Sequence, residues 1–157
     1  MNMNLSNLSQ FLKIQAEKEP NSIAIVDGDT SITYQELDSV TDSLAAYLQH
    51  QGVTCNNVVG IFMEKSTEYI IACFAAMKAG GAYMPLQLEY SDSMLSKIIV
   101  QAQPTVIITK SYCSSRLESN TATVIINIDI DKDWKNYNLN LNSVSLTSSV
   151  HNLAMVV

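Results

Sequence analysis

The sequence predicts an α/β fold, a layered and mostly parallel β-sheet with flanking helices. Residues 58–63 form an unbroken apolar run, which is typical of a parallel strand covered on both faces. A long apolar helix pattern from Thr67 leads through two glycines into a short strand at 82–85, and this order indicates a right-handed βαβ crossover. A further helix pattern before the apolar run 106–109 repeats the unit.

Length, composition and net charge indicate the number of domains and exclude two classes of partner. At 157 residues the chain has about the size of one domain. It is 47% apolar and 15% charged, so most of it has enough apolar surface to fold. The net charge of −6 opposes binding to the phosphates of nucleic acids and to anionic membranes, and we expect neither partner.

Local signals predict the first elements. Apolar residues recur at three- and four-residue steps over 5–18, which indicates a helix that ends ahead of a proline. Residues 22–26 are typical of a short strand, and Asp27-Gly28 predicts a hairpin turn into residues 30–32.

The second helix has the clearest start signal. Thr33 and Glu36 stand at the capping-box spacing, at which hydroxyl and carboxylate satisfy each other's backbone amides. The helix should end ahead of Gly52, because glycine suits the left-handed backbone found after helices. Its apolar stripe consists of Leu37, Val40, Leu44 and Leu48.

The remaining helices and strands alternate. The pattern from Thr67 to Met77 has almost no polar face, which predicts a helix enclosed by other elements and ended by Gly80-Gly81. Ser91 is expected to cap the next helix, which a proline breaks before the strand 106–109. We expect a loop or short helical turn over residues 111–121 and an additional strand over 123–128.

The C-terminal part differs in composition from the rest. Residues 129–149 are rich in Asn, Asp and Ser and are expected to be irregular surface chain. Residues 152–157 are apolar and predict the start of another buried strand. We therefore expect residues 1–157 to be an incomplete domain whose sheet is completed by residues beyond this sequence.

The cysteines and the N-terminus favour a cytoplasmic location. Cys55, Cys73 and Cys113 are odd in number and share no paired spacing, so we expect reduced thiols in a reducing compartment. The N-terminus lacks the pattern of a signal peptide, and the longest apolar run, 69–77, is too short to cross a bilayer.

No residue pattern stands out as a catalytic or metal site. His50 and His151 lack partners at metal-ligand spacing, and Gly80-Gly81 follow a helix, whereas a phosphate loop follows a strand. The run Asp129, Asp131 and Asp133 lacks the glycine and glutamate of a calcium loop and is expected to be a solvated face.

Lys78 is the one lysine in the apolar third helix. We interpret it as a residue that complements the helix dipole and reaches solvent.

Two segments resemble a known family. Residues 32–37 (ITYQEL) and 77–86 (MKAGGAYMPL) resemble the first two core motifs of the amino-acid adenylation domains of nonribosomal peptide synthetases, in the same order. These domains belong to the adenylate-forming superfamily, which also holds acyl-CoA synthetases and luciferases. The resemblance is close over 5–110 and looser elsewhere, and it implies the opening part of the large N-terminal lobe. Between residues 87 and 91 the chain lacks the aspartate and prolines that are usual there.

The resemblance implies an activity for the complete enzyme. That enzyme would activate an amino acid or another carboxylic acid with ATP and Mg²⁺, release pyrophosphate, and pass the acyl group to a phosphopantetheine thiol of a carrier partner. In the family, the phosphate loop, the acyl pocket and the catalytic lysine lie downstream of these motifs. We therefore assign no catalytic, cofactor-binding or metal-binding residue to this chain and expect it to be inactive alone.

Two other interpretations stay open. A non-catalytic binding or regulatory module would keep part of the fold and associate with a complete synthetase, or with itself, through the sheet edge near Val157. A small-molecule binder of the doubly wound type would need a glycine-rich turn from strand to helix, and the sequence has none.

Overall fold

The computed structural model describes residues 8–117, 122–135 and 137. The helices are α1 (Leu8–Lys18), α2 (Tyr34–His50), α3 (Thr67–Lys78), α4 (Asp92–Ala102) and α5 (Ser111–Ser114), which a 3₁₀ turn (Ser115–Leu117) continues. The strands are β1 (Ile23–Asp27), β2 (Thr30–Thr33), β3 (Val58–Phe62), β4 (Ala82–Pro85), β5 (Val106–Thr109) and β6 (Val124–Asn127).

The central element is a four-stranded sheet with the order β4-β3-β5-β6. All three strand pairs are parallel, so the predicted parallel α/β class and the crossover through α3 are confirmed. The strand expected over 123–128 is β6, and the predicted hairpin forms a separate antiparallel pair of β1 and β2.

Different helices cover the two faces of this sheet. Alternate residues of β5 enter different buried clusters, Val106 and Ile108 one and Ile107 the other, as the two-residue period of a strand requires. The first cluster, here the larger core, contains residues of α1, α2 and α3. The second, the smaller core, contains Leu95 and Ile99 of α4. Helices α3 and α4 therefore lie on opposite faces, as in a doubly wound sheet.

The predicted helix ends are confirmed. The Thr33 hydroxyl accepts from the Glu36 amide at 3.2 Å, and the Glu36 carboxylate accepts from the Thr33 amide at 2.8 Å. Gly52 follows α2 with φ 96°, and Gly80 follows α3 with φ 92°, both in the left-handed region that favours glycine. The Ser91 hydroxyl accepts from the Met94 amide, which caps α4.

The expectations for the enclosure of α3 and for residues 129–149 need correction. Ile70 in α3 is 36% exposed, so this helix is enclosed on most of its surface and open near its first turn. Trp134 is 3% exposed and joins the larger core, so the expectation that 129–149 is surface chain is wrong at this residue. A local pattern could not show this burial because the indole packs against elements that are distant in sequence.

The helical turn expected within 111–121 is present as α5 and the 3₁₀ turn, while 118–121 and the predicted strand 152–157 lie outside the described residues. None of the helices in the described part of the chain combines the length and the apolar composition that a bilayer crossing requires.

Candidate functional site

The parallel strands bring their carboxyl ends to one edge of the sheet, here called the carboxyl edge. The chain continues from β3 to β4 on one side and then places β5 on the other side of β3. Ligands of open α/β sheets bind outside the carboxyl ends of the strands, in the crevice where the strand order reverses in this way. The ends of β3 and β5 therefore mark the candidate site.

A network of charged residues, the carboxyl-edge network, joins these two strand ends. Nζ of Lys110, which follows β5, lies 2.6 Å from Oε1 of Glu64 after β3 and 3.4 Å from Oε2 of Glu68 in α3. The Tyr112 hydroxyl donates to the other oxygen of Glu64. The lysine side chain is 15% exposed, whereas the two glutamates are 41% and 42% exposed. The network is thus an enclosed cation between two solvent-accessible carboxylates.

The charges in this network stabilise each other. The hydrogen bond from Lys110 is the main cause that lowers the pKa of Glu64 below its ordinary value of 4.5. Burial acts to lower the pKa of Lys110, but the hydrogen bonds and charges of Glu64 and Glu68 outweigh it and raise that pKa overall. Lys110 is therefore held as an ammonium ion, which can neither accept a proton nor act as a nucleophile.

A second contact at the carboxyl edge joins the end of β6 to the start of α5. Asp129, just after β6, accepts from the Ser111 amide at 2.9 Å and from the Ser111 hydroxyl at 2.6 Å. Burial acts to raise the pKa of Asp129, yet these two hydrogen bonds lower it overall. Asp131 accepts from the Asn127 amide at 2.7 Å. Asp129 is exposed, as expected for a solvated face, and it also holds the start of α5.

A recess of about 430 Å³ opens beside the network, between the ends of β3 and β4. Five of its nine lining residues are apolar or aromatic and four are charged or polar, so it is more polar than most small-molecule sites. The lining residues are Met63, Glu64, Lys65, Tyr69, Pro85, Leu86, Gln87, Leu88 and Glu89.

The described residues offer little for covalent or metal chemistry. Residues 8–117, 122–135 and 137 contain no group of three or more His, Cys, Asp or Glu side chains placed to hold a metal ion. Burial raises the pKa of the Cys73 thiol to about 12, and it also raises the pKa of Cys113, so neither forms a reactive thiolate at neutral pH. The recess at the carboxyl edge is therefore the candidate ligand site in this part of the chain.

The bond between Glu64 and Lys110 predicts an acid-dependent contribution to stability. The pKa of Glu64 in the folded chain is below 4.5, so this contribution is complete above 4.5 and is lost as the pH falls through the folded-state pKa. Because Glu64 is 41% exposed, we expect less than about 1 kcal/mol. Wild type and Glu64→Gln should differ in urea unfolding at about pH 7, and the difference should shrink as the pH falls below 4.5 and through the lowered pKa of Glu64.

Glu89→Gln is the matched control, because Glu89 is an exposed carboxylate in the same recess. It should leave the free energy of unfolding unchanged at both pH values. If Glu64→Gln also had no effect at neutral pH, the ion pair would contribute nothing to stability.

The structure corrects the expectation for Lys78. The side chain is 5% exposed, and Nζ lies 2.6 Å from a carboxylate oxygen of Asp38 and 2.6 Å from one of Asp42. Helix α2 supplies both acceptors, so the ammonium group is paired between α2 and α3 instead of reaching solvent. Its position in the last turn of α3 still suits the helix dipole. Lys78 cross-links two helices and is not part of the carboxyl-edge network.

The histidine at position 50 and the glycine at position 81 lie in packing contacts. The His50 ring centroid lies 6.5 Å from that of Tyr47 and 5.3 Å from that of Tyr137, at the end of α2. A Cβ on Gly81 would lie 3.0 Å from the Asn57 carbonyl oxygen, so this glycine allows close packing. His151 lies outside the described residues.

Sequence reasoning missed the carboxyl-edge network, although a signal was present. The polar residues Glu64, Lys110 and Asp129 each follow a parallel strand by one or two positions. Since the carboxyl ends of parallel strands meet at one edge, such residues come close in space. Their spacing along the chain could not show which of them pair.

The chain matches known proteins over most of its length. The family model described as AMP-binding enzyme matches residues 12–152. Tyrocidine synthase 1 of Brevibacillus parabrevis is 37% identical over 108 residues, which cover 69% of this chain and 10% of that protein. The glycine betaine reductase ATRR of Emericella nidulans is 31% identical over 121 residues, which cover 77% of this chain and 10% of that protein.

A solved structure shares the fold. The crystal structure of the nonribosomal peptide synthetase FmoA3 has a TM-score of 0.85 at 23% identity and covers 96% of this chain and 16% of that one. Its form bound to alpha-methyl-L-serine-AMP has a TM-score of 0.75 at 25% identity and covers 95% and 15%. The chain therefore spans a small part of the proteins that it matches.

Proposed function

Because the chain belongs to the AMP-binding enzyme family, we propose that it forms the N-terminal portion of an adenylation domain that activates an amino acid or another carboxylic acid with ATP. The family match over residues 12–152 carries this proposal, since it includes every strand of the described sheets. The 37% identity to tyrocidine synthase 1 supports an adenylation domain of the peptide-synthetase type.

The proposed reaction has two steps. A carboxylate oxygen of the acid attacks the α-phosphorus of ATP, pyrophosphate leaves, and an acyl-adenylate forms. The thiol of a phosphopantetheine arm on a carrier partner then attacks the acyl carbon and AMP leaves, which yields a thioester. The FmoA3 structure bound to an aminoacyl-AMP supports an amino acid as the substrate class.

The described residues have a supporting role in this proposal. Lys110 is paired with Glu64 and Glu68, and the described part of the chain holds no carboxylate cluster suited to Mg²⁺. We assign neither ATP nor Mg²⁺ contacts to these residues. The sheet supplies a rigid wall beside the substrate cleft, and the catalytic groups belong to other parts of the enzyme. Cys73 and Cys113 form no disulfide, which supports a reducing, cytoplasmic location.

A hybrid enzyme tests this proposal. The segment of tyrocidine synthase 1 that matches this chain over 108 residues is replaced with its counterpart from this chain. We expect the hybrid to retain ATP–pyrophosphate exchange with that enzyme's own amino acid, with kcat/KM within about tenfold of the parent enzyme. The 157-residue chain alone should show no exchange, because it contributes structure and no catalytic group.

The parent synthase serves as the positive control, and circular dichroism establishes that the hybrid is folded. A folded hybrid without exchange would contradict the proposed function. Exchange by the chain alone would contradict its supporting role.

The regulatory module is favoured by one feature, the position of β6 at the edge of the described sheet with Val124 38% exposed. Exposed apolar strand edges promote association. If the chain is a regulatory module, sedimentation should show a stable complex of the chain with itself or with a complete synthetase. The hybrid enzyme should then be inactive.

A further inference from the structure

Arg116 contacts the loop that follows β4, although it lies in the 3₁₀ turn after β5 and α5. Its Nη1 donates to the carbonyl oxygen of Leu88 at 2.8 Å, and its Nη2 donates to the carbonyl oxygen of Tyr90. Its Nε lies 2.8 Å from Oδ1 of Asp92, the first residue of α4. Three guanidinium nitrogens are therefore bound to one short stretch of chain.

The same guanidinium covers the end of the central strand. Its Cζ lies 5.2 Å from the ring centroid of Phe62, the last residue of β3, and this ring is fully buried. A cation over an aromatic face at this distance is attracted by the ring, more strongly where water is partly excluded. In the strand order β4-β3-β5, Arg116 thus links the segment after β5 to the segment after β4 across the end of β3.

Arg116 binds the middle and the end of the loop over residues 86–91, where few other polar contacts fix the backbone. Its sequence, LQLEYS, contains no proline or glycine, so no residue in it presets the backbone of a turn. One backbone hydrogen bond anchors its start, from the Leu86 amide to the Ile61 carbonyl at 2.8 Å, and one closes a turn within it, from the Tyr90 amide to the Gln87 carbonyl at 3.2 Å. The planar fork of arginine can hold two carbonyl oxygens and a carboxylate together, whereas the ammonium group of lysine lacks this geometry.

We propose that Arg116 is a positioning residue that sets the shape of the recess at the carboxyl edge by fixing the loop 86–91. This loop supplies four of the residues that line the recess, namely Leu86, Gln87, Leu88 and Glu89. The recess lies at the carboxyl edge, next to the crevice between β3 and β5 where ligands of open parallel sheets bind. The consequence for substrate binding rests on the proposed function, while the effect on the loop itself does not.

Hydrogen–deuterium exchange of the 157-residue chain tests the effect on the loop. In Arg116→Met, we expect amide exchange over residues 87–91 to rise by about tenfold, while exchange in β3 and β5 stays within about twofold of wild type. The cause is the loss of three donors with little change in side-chain volume. Unchanged exchange over 87–91, or an equal rise throughout the sheet, would contradict the proposal.

Two further variants test whether the planar shape of the Arg116 guanidinium or its positive charge holds the loop. Arg116→Lys keeps the positive charge and is expected to restore less than half of the lost protection, because one ammonium group cannot reproduce the three contacts. Lys97→Met removes an exposed positive charge of α4 and should leave the loop unchanged. If Arg116→Met proved unstable, Asp92→Asn should produce a smaller rise confined to the same loop, and a rise elsewhere would count against the proposal.

The hybrid synthase tests the consequence for binding. Arg116→Met in a hybrid that carries residues 12–152 of this chain, the range of the family match, should raise KM for the amino acid or for ATP about fivefold. It should leave kcat within about twofold, because the wall of the cleft moves and no reacting group is lost. Unchanged KM for both substrates would contradict a role in binding. A hybrid that is inactive with Arg116 intact argues against the proposed function. In that case, hydrogen–deuterium exchange of the 157-residue chain alone tests whether Arg116 fixes the loop.

Discussion

Replacing Lys78 with methionine should lower the free energy of unfolding by about 3 kcal/mol, because it removes one partner of a buried ion pair. The lysine is 5% exposed, and its partner Asp38 is 19% exposed, so the remaining carboxylate could not be fully hydrated. The backbone carbonyl of Asp38 also loses one of its donors, Nζ at 3.1 Å, and keeps the Thr41 hydroxyl at 3.0 Å. Urea unfolding at neutral pH, followed by circular dichroism, measures the loss.

Lys97→Met is the control for Lys78→Met, since Lys97 is exposed on α4, and it should change stability by less than about 0.5 kcal/mol. The double variant Lys78→Met with Asp38→Asn should recover part of the loss, because no unpaired charge then stays enclosed. A loss below about 1 kcal/mol in the single variant would mean that the pair contributes no more than an exposed one.

Trp134→Ala should destabilise the fold by about 3–5 kcal/mol, the range for removing a large aromatic side chain from a core. Trp134 is 3% exposed and packs in the larger core together with Ile128. Because it is the only tryptophan of the chain, unfolding of the variant must be followed by circular dichroism instead of fluorescence.

Two further variants test the cause of this loss. The indole nitrogen of Trp134 is buried and finds no hydrogen-bond acceptor among the residues that the structure describes. Trp134→Phe keeps an aromatic ring and removes this unpaired donor, so we expect it to cost about 1 kcal/mol or less. Ile130→Ala is the control, because Ile130 is 57% exposed. Equal losses in the alanine variants at 130 and 134 would show that burial of the indole does not stabilise the chain.

Short-range features were predictable from the sequence. The capping box depends on two side chains three positions apart, and both of its hydrogen bonds are present. Gly52 and Gly80 mark the ends of α2 and α3, because positive φ is a local property of the backbone. The parallel sheet was predictable because strands buried on both faces are continuously apolar.

The partners of Lys78 and the acceptors of Arg116 were not predictable in the same way. Nζ of Lys78 bonds to Asp38, which is 40 positions away, and Nη1 of Arg116 bonds to Leu88, which is 28 positions away. Neither spacing belongs to a helix turn or a hairpin, so no periodicity reports these contacts. They exist because the crossovers bring α2 beside α3 and the turn after β5 beside the loop after β4.

For the candidate site, the sequence predicted the strand ends but not their chemistry. Glu64 and Lys110 directly follow the predicted strands 58–63 and 106–109, and their bond spans 46 positions. The order β4-β3-β5 makes their strands neighbours, and the burial of Lys110 then favours a carboxylate partner.

By itself, the sequence determined the class of the fold, the ends of its helices and the resemblance to adenylation domains, because periodicity, caps and motifs are properties of consecutive residues. Only the tertiary structure decided which charges meet at the carboxyl edge, that Lys78 is enclosed, that Trp134 belongs to the core, and that Arg116 holds the loop 86–91. The physical reason is that enclosure and ion pairing depend on which distant segments the chain brings together.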